Sequence, residues 1–184
     1  NEKVIDLEYR DNYWLVNCEY KAKKVINTAP WNHLYKALNV PASLEDCFER
    51  LKNNSIVVSL WEQEYNHDWH WCYDPDLSLE YHREFFIHNF APHSLSTGMY
   101  TETNLTRWPG SETSWSNGKK PIFEHINSVA YPVPVVGHSK AISSILEYYE
   151  RQNLFGVGRW GQWQYFNSDV CILEAMKFIK AKVL

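Results

Sequence analysis

Polar and apolar residues alternate with period two near the start of the chain. Val4, Ile5 and Leu7 precede Asp11-Asn12, and Trp14, Val16 and Cys18 alternate after it. Alternation places every second side chain on one face, so the pattern predicts a hairpin over residues 3–10 and 12–20. Lys24 to Thr28 predicts a short apolar strand, stopped by Ala29-Pro30, and a short helix is expected over 31–38. Ser43 followed by Asp46 predicts a capping box that opens a helix to about Lys52. SIVVSLWEQE (55–64) predicts a buried strand, and residues 70–73, 84–88 and 98–104 predict further strands of one sheet.

Residues 108–120 are rich in turn formers and predict a loop, or a short helix from Ser111. Residues 122–129 favour neither period, and YPVPVVG (131–137) predicts an extended, proline-fixed linker. From Ser139 the period becomes helical to Gln152, with Ile142, Ile145, Leu146 and Tyr149 on one face. A strand at 154–156, strand-like alternation over 162–165 and a final helix from Asp169 to Val183 complete an α+β pattern.

A chain of 184 residues is expected to build one domain. The net charge of −4 gives no basic footprint, so no nucleic-acid partner is expected. No apolar run reaches the ~18 residues of a membrane span. The first residues, NEKVIDLEYR, are too charged for a secretion signal. Four cysteines, at 18, 47, 72 and 171, form no C-x-x-C pair and predict free thiols in a reducing cytoplasm. Nine tryptophans and twelve tyrosines exceed what such a core needs, and large aromatics with a polar edge suit stacked ligands as well as packing.

The densest chemistry lies in NLFGVGRWGQWQYFNSD (153–169). Gly158-Arg159 precedes Trp160, Trp163, Tyr165 and Phe166, and Asn167-Ser168-Asp169 opens the last helix. Backbone N–H groups at a helix start and a nearby guanidinium both suit an anion. GVGRWG (156–161) also satisfies G-x-G-x-x-G. That fingerprint needs a strand before it and a long helix opening within it. The expected strand over 162–165 and a helix only from about Ser168 leave no βαβ unit, so the dinucleotide reading is rejected. His67, His70 and Cys72 have a spacing that fits no common zinc site, and no metal is expected.

Three blocks together resemble the C-terminal half of amine-oxidase-like flavoenzymes, with UDP-galactopyranose mutase and its relatives the closest branch. They are KVINTAP (24–30); DPDLSLEYHREFFIHNFAP (74–92) with MYTETN (99–104); and AYPVP (130–134) with GVGRWGQWQYFNSD (156–169). The resemblance implies an antiparallel substrate domain plus the closing strand and helix of an FAD-binding, Rossmann-like domain. It divides the single domain into a substrate-like part (29–130) and a flavin-closing part (131–184). The family's N-terminal Rossmann strand, glycine loop and ribose-binding acid have no counterpart here. The chain is therefore expected to be part of a larger flavoprotein or a truncated one, retaining FAD only with the missing half.

By the same resemblance, Gly158, Arg159, Ser168 and Asp169 would meet the flavin and its phosphates. Arg83, Glu102, Tyr131, Trp163 and Tyr165 would face a nucleotide-sugar-like substrate. The plainer readings are a surface ion pair for Arg159, a helix cap for Ser168 and Asp169, and a salt bridge from Arg83 to Glu80 or Glu84. Mutases carry tyrosine where Trp163 and Phe166 stand, and this argues for a glycosyl nucleotide other than UDP-galactopyranose, or another small molecule. The implied activity is a reduced-flavin isomerase in the cytoplasm, serving surface polysaccharide synthesis. An amine-oxidase-type oxidoreductase and a non-catalytic glycan- or nucleotide-sugar-binding domain are the alternatives. The uncovered docking face predicts self-association, or pairing with an N-terminal flavin-binding half.

Overall fold

The computed structural model describes residues 2–62, 68–91, 93, 98–111, 115 and 118–182. The chain forms two compact units, one of Asn1–Asn53 with Tyr131–Leu184 and one of Asn54–Ala130. Residues 29–53 thus fold with the C-terminal part.

The first unit opens with the expected hairpin, β1 (Leu7–Arg10) and β2 (Tyr13–Val16), which continues into β3 (Tyr20–Ala22) as an antiparallel meander. Asp11 and Asn12 both take positive φ, 50° and 63°, which matches the twist of a two-residue hairpin. Cys18, expected on a strand, instead shares a second such turn with Asn17, at φ 58° and 52°. The Asn17 side chain organises this corner by accepting from the Ile5 N–H at 2.9 Å.

β4 (Val25–Asn27) pairs in parallel with β10 (Leu154–Gly156). Helices α1 (Trp31–Leu34), α2 (Ala42–Glu49) and α4 (His138–Glu150) surround one core. The capping box at Ser43 does not form: Pro41 is the N-cap of α2, and Ser43 lies inside the first turn. Gly137 starts α4 from a left-handed φ of 81°. Trp14, Trp31, Tyr149 and Trp163 are almost fully buried, and Trp31 stacks on Tyr149 at 5.6 Å. The indole N–H of Trp14 donates to the Gln152 carbonyl at 2.7 Å, and that of Trp31 to the Gly161 carbonyl at 2.7 Å. Much of the aromatic excess is therefore core.

The second unit is built on a five-stranded sheet. Its strands are β5 (Lys52–Trp61), β6 (Trp71–Tyr73), β7 (Tyr81–Phe86), β8 (Met99–Asn104) and β9 (Phe123–Val133), in the order β6-β7-β8-β5-β9. The pairs β6–β7, β7–β8 and β5–β8 are antiparallel. β9 takes in residues 131–133 that read as a linker, and Pro132 is tolerated because β9 is an edge strand. β7 stops at Phe86, and Ile87–Phe90 forms a single helical turn, α3, so His88 is not on the strand. Trp61, Phe86, Met99 and Trp115 form a small core on one face. The described part of 108–120 is irregular, and the short-helix alternative falls partly on residues 112–114 and 116–117, outside the described set.

Candidate functional site

The candidate residues fall into two groups, one in each unit. In the first unit, the parallel pairing of β4 and β10 puts both carboxyl ends at the same end of the pair. That end is the usual ligand crevice of a parallel sheet. β10 leads directly into α5 (Gly158–Gly161), a single helical turn. The strand expected over 162–165 is absent, because the chain coils through α5 and Trp163 adopts φ 51°.

The glycines of GVGRWG have a steric role. A Cβ on Gly156 would lie 2.0 Å from the Gly161 carbonyl oxygen, and one on Gly161 would lie 2.3 Å from that of Asn27. Only glycines let the α5 turn rest on the strand pair. Gly158, at φ 77°, makes the bend. A four-residue helix offers no dipole site for a dinucleotide, so that reading stays rejected on corrected grounds.

Arg159 is held by three neighbours. Its Nε–H donates to the Phe166 carbonyl at 2.7 Å. Its guanidinium carbon lies 5.5 Å from the Tyr131 ring centre and 5.3 Å from that of Tyr165. Those two rings stack on each other at 5.3 Å and 26°. Among the described residues no carboxylate pairs with Arg159. A guanidinium has five N–H donors, so the two terminal nitrogens remain available to an anion.

The final helix, α6 (Ser168–Lys182), begins beside this cluster, as a Cβ on Gly158 would be 4.0 Å from the Cys171 sulfur. Ser168 and Asp169 lie in its first turn and are exposed. Trp163, assigned to the substrate by resemblance, is 1 % exposed and packs in the core against Trp160. Gly158, Arg159, Tyr131 and Tyr165 therefore form one surface cluster with the start of α6, and Trp163 belongs to the core.

In the second unit, Arg83 and Glu102 face each other across β7 and β8. Arg83 donates to Glu102 Oε2 from Nε at 3.0 Å and from a terminal nitrogen. Glu102, across the strand pair, is an ion-pair partner of Arg83. The Glu102 side chain is 9 % exposed and that of Arg83 14 %. Arg83 also donates to the Tyr73 hydroxyl at 3.0 Å and lies over the rings of Tyr73 and Phe85.

Register puts Trp71, Tyr73, Arg83, Phe85, Tyr100 and Glu102 on one face of this sheet. Trp71 and Tyr73 on β6 are about half exposed, and their rings meet edge-to-face at 5.2 Å. A β-bulge between Tyr81 and Arg83 brings His82 Nε2 within 3.9 Å of the same Glu102 oxygen. Burial lowers the His82 pKa; Glu102 opposes this, and Arg83 and Arg107 add to it. Tyr73, His82 and Phe85 escaped the sequence reading. Period-two spacing from Arg83 could have found Phe85, but no local signal marks a bulge.

Among the described residues no group of three or more His, Cys, Asp or Glu side chains could hold a metal. His67 lies outside them. No helix among them is long and apolar enough to cross a membrane.

The folds of the two units, a parallel strand pair closed by a glycine turn and an antiparallel sheet, are similar to those found in parts of three solved structures. The crystal structure of reduced UDP-galactopyranose mutase matches with a TM-score of 0.75 and 15% identity, over 97% of this chain and 46% of that one. A protoporphyrinogen oxidase candidate from Exiguobacterium sp. 255-15 matches with a TM-score of 0.66 and 15% identity, over 97% and 45%. A conjugated-linoleic-acid (CLA)-producing fatty acid isomerase from P. acnes matches with a TM-score of 0.70 and 11% identity, over 99% and 47%. The chain thus spans just under half the length of these structures, in agreement with the C-terminal portion expected from its motifs. No family model and no curated protein matches the sequence.

Proposed function

We propose that this chain is the substrate-facing and flavin-closing part of a flavoprotein acting on a nucleotide sugar or a related small anion. The observation that carries this reading is Arg159. It is fixed by Phe166 and two stacked tyrosines at the carboxyl ends of two parallel strands, with no carboxylate partner among the described residues. Two available N–H-bearing nitrogens, a left-handed glycine and an exposed helix start fit a phosphate-bearing cofactor. Gly158, Arg159, Ser168 and Asp169 would hold FAD, which when bound supplies the electron-pair chemistry of an isomerase or an oxidoreductase.

The chain's own residues bind and orient. Arg159 neutralises phosphate charge, and its two tyrosines fix its plane. Arg83, neutralised by Glu102, presents Tyr73 and the aromatic sheet face to the organic part of a substrate. The fold alone suits a mutase-like isomerase and an oxidase equally. Phe166, where mutases carry a tyrosine, favours a substrate other than UDP-galactopyranose; Trp163, which also replaces a tyrosine, is buried and does not bear on the choice. On this reading the protein needs the rest of the flavoprotein fold for activity and works in the cytoplasm, in surface polysaccharide synthesis.

The test is an FAD titration, read by tryptophan fluorescence, on the chain alone and mixed with the N-terminal portion of UDP-galactopyranose mutase. Saturable quenching in the mixture only is expected. Quenching in neither would overturn the flavin reading and favour a glycan- or nucleotide-sugar-binding domain using the exposed Trp71–Tyr73 face.

A further inference from the structure

The five-stranded sheet of the second unit has two unlike faces. One carries Phe86 and Met99, which pack with Trp61 and Trp115 as that unit's core. The other carries two cross-strand rows set by register. Trp71, Phe85 and Tyr100 form one row, and Tyr73, Arg83 and Glu102 the next. Exposure rises along the second row toward the edge strand β6. The Glu102 and Arg83 side chains are nearly covered, whereas Tyr73 is 54 % exposed. Trp71, at the same edge, is 48 % exposed. Two half-exposed aromatics on a short edge strand add nothing to the core on the opposite face and make the edge more adhesive.

The chemistry of this corner selects a ligand class. The Trp71 and Tyr73 rings meet at 82°, so they form an L-shaped corner and not a parallel pair. A flat base can stack on only one of them. A pyranose is a puckered ring, and its C–H face can rest on one aromatic while its edge meets the other. The Tyr73 oxygen accepts from Arg83 at 3.0 Å, which leaves the phenolic O–H to donate. The Trp71 indole N–H is a second donor. Sugar hydroxyls accept from both, whereas a hydrocarbon chain would cover them without giving a partner. The Arg83 charge is met by Glu102, and burial holds His82 below the ordinary imidazole pKa. The corner therefore gives no reward to a phosphate.

We propose that the Trp71–Tyr73 corner binds the pyranose rings of an uncharged glycan. The proposal rests on the assignment, under Proposed function, of this face to the organic part of a substrate. It deepens that reading by making the part a neutral sugar.

An NMR titration of this chain tests it, following the indole N–H resonances. The probes are methyl pyranosides of the gluco, galacto and manno series and the 1-phosphates of the same sugars. A saturable shift of the Trp71 signal, assigned with Trp71→Phe, is expected with at least one methyl pyranoside, at a Kd on the order of 1 mM. The matching sugar phosphate should bind no tighter. Trp71→Ala should weaken binding about tenfold or more, and Tyr73→Phe, which keeps the ring, about threefold. Both side chains are half-exposed, so both variants should keep the urea midpoint of the parent chain.

No saturable shift with any pyranoside, tighter binding of the sugar phosphate, or binding unaltered in Trp71→Ala would each overturn the proposal. Pyranoside binding by a chain that takes up no FAD with the N-terminal portion supplied would remove the flavin reading and leave this site. FAD uptake with no pyranoside shift would do the reverse.

Discussion

Arg83 and Arg159 are both ringed by aromatics, yet they are held in opposite ways. Arg83 is locked to a buried carboxylate in the second unit, and its charge is cancelled where it stands. Arg159, in the first unit, is oriented by a backbone carbonyl and two tyrosine faces, and those leave its charge uncancelled. The difference separates an arginine whose charge is met by a carboxylate from one that, on the proposed function, would receive an anion. Removing either partner of a buried ion pair strands the other charge, whereas an uncancelled surface charge can be lost with little effect on stability.

The sharpest way to break this comparison is at the glycines beneath Arg159. Gly161→Ala and Gly156→Ala each push a Cβ to within 2.3 Å of a backbone oxygen. Each should destabilise the first unit by about 3 kcal/mol or more, at the upper end of overpacking costs, measured by urea unfolding. Arg83 and Glu102 should keep their contact in both variants.

Next in size is Glu102→Ala. It removes the Glu102 carboxylate from an Arg83 whose side chain is only 14 % exposed. The expected loss is roughly 3 kcal/mol, whereas Arg159→Ala should change unfolding by less than about 1 kcal/mol. Equal losses in the two variants would erase the distinction.

Binding should show the opposite ranking. On the proposed function, Arg159→Ala is expected to weaken FAD binding about tenfold or more once the missing half is supplied, the scale of one charge-assisted hydrogen bond. Arg159→Lys should recover only part of this, because an ammonium cannot bind phosphate in bidentate fashion. Fluorescence titration measures both.

The smallest effect is a pH dependence at His82. Burial holds its pKa below the ordinary imidazole value, so the unfolded chain takes up the proton first on acidification. The stability this group contributes is present above the ordinary pKa of about 6.5. It is lost as pH falls through that value toward the folded one. Thermal melts across that window should show a shallow slope that His82→Gln flattens. A slope of the opposite sign would mean that Glu102 outweighs burial at this imidazole.

Legibility differed between the two groups for a physical reason. Hairpin, strand and helix periods placed most elements, because period two and period 3.6 report which side chains share a face. The turn at Asn17-Cys18 was lost because alternation continues through it. Pro132 disguised the end of β9, since an edge strand tolerates a proline that a central strand would not. The segment after α5, residues 162–165, reads as a strand because Trp163 and Tyr165 alternate with glutamines. The Gly156–Gly161 contact that sets the α5 turn is long-range backbone packing, invisible to local periodicity. Arg159, Tyr131 and Tyr165 were each named from motifs, but their stacking is set by tertiary packing. Trp163 looked like part of the same surface and is core.

The most direct test of the account follows the arginine side-chain Nε–H resonances by NMR while a diphosphate nucleotide is titrated in. Arg159→Lys and Arg83→Lys assign the two signals. The account predicts a saturable shift of the Arg159 resonance with that of Arg83 unmoved. Movement of Arg83 while Arg159 stays still would contradict it.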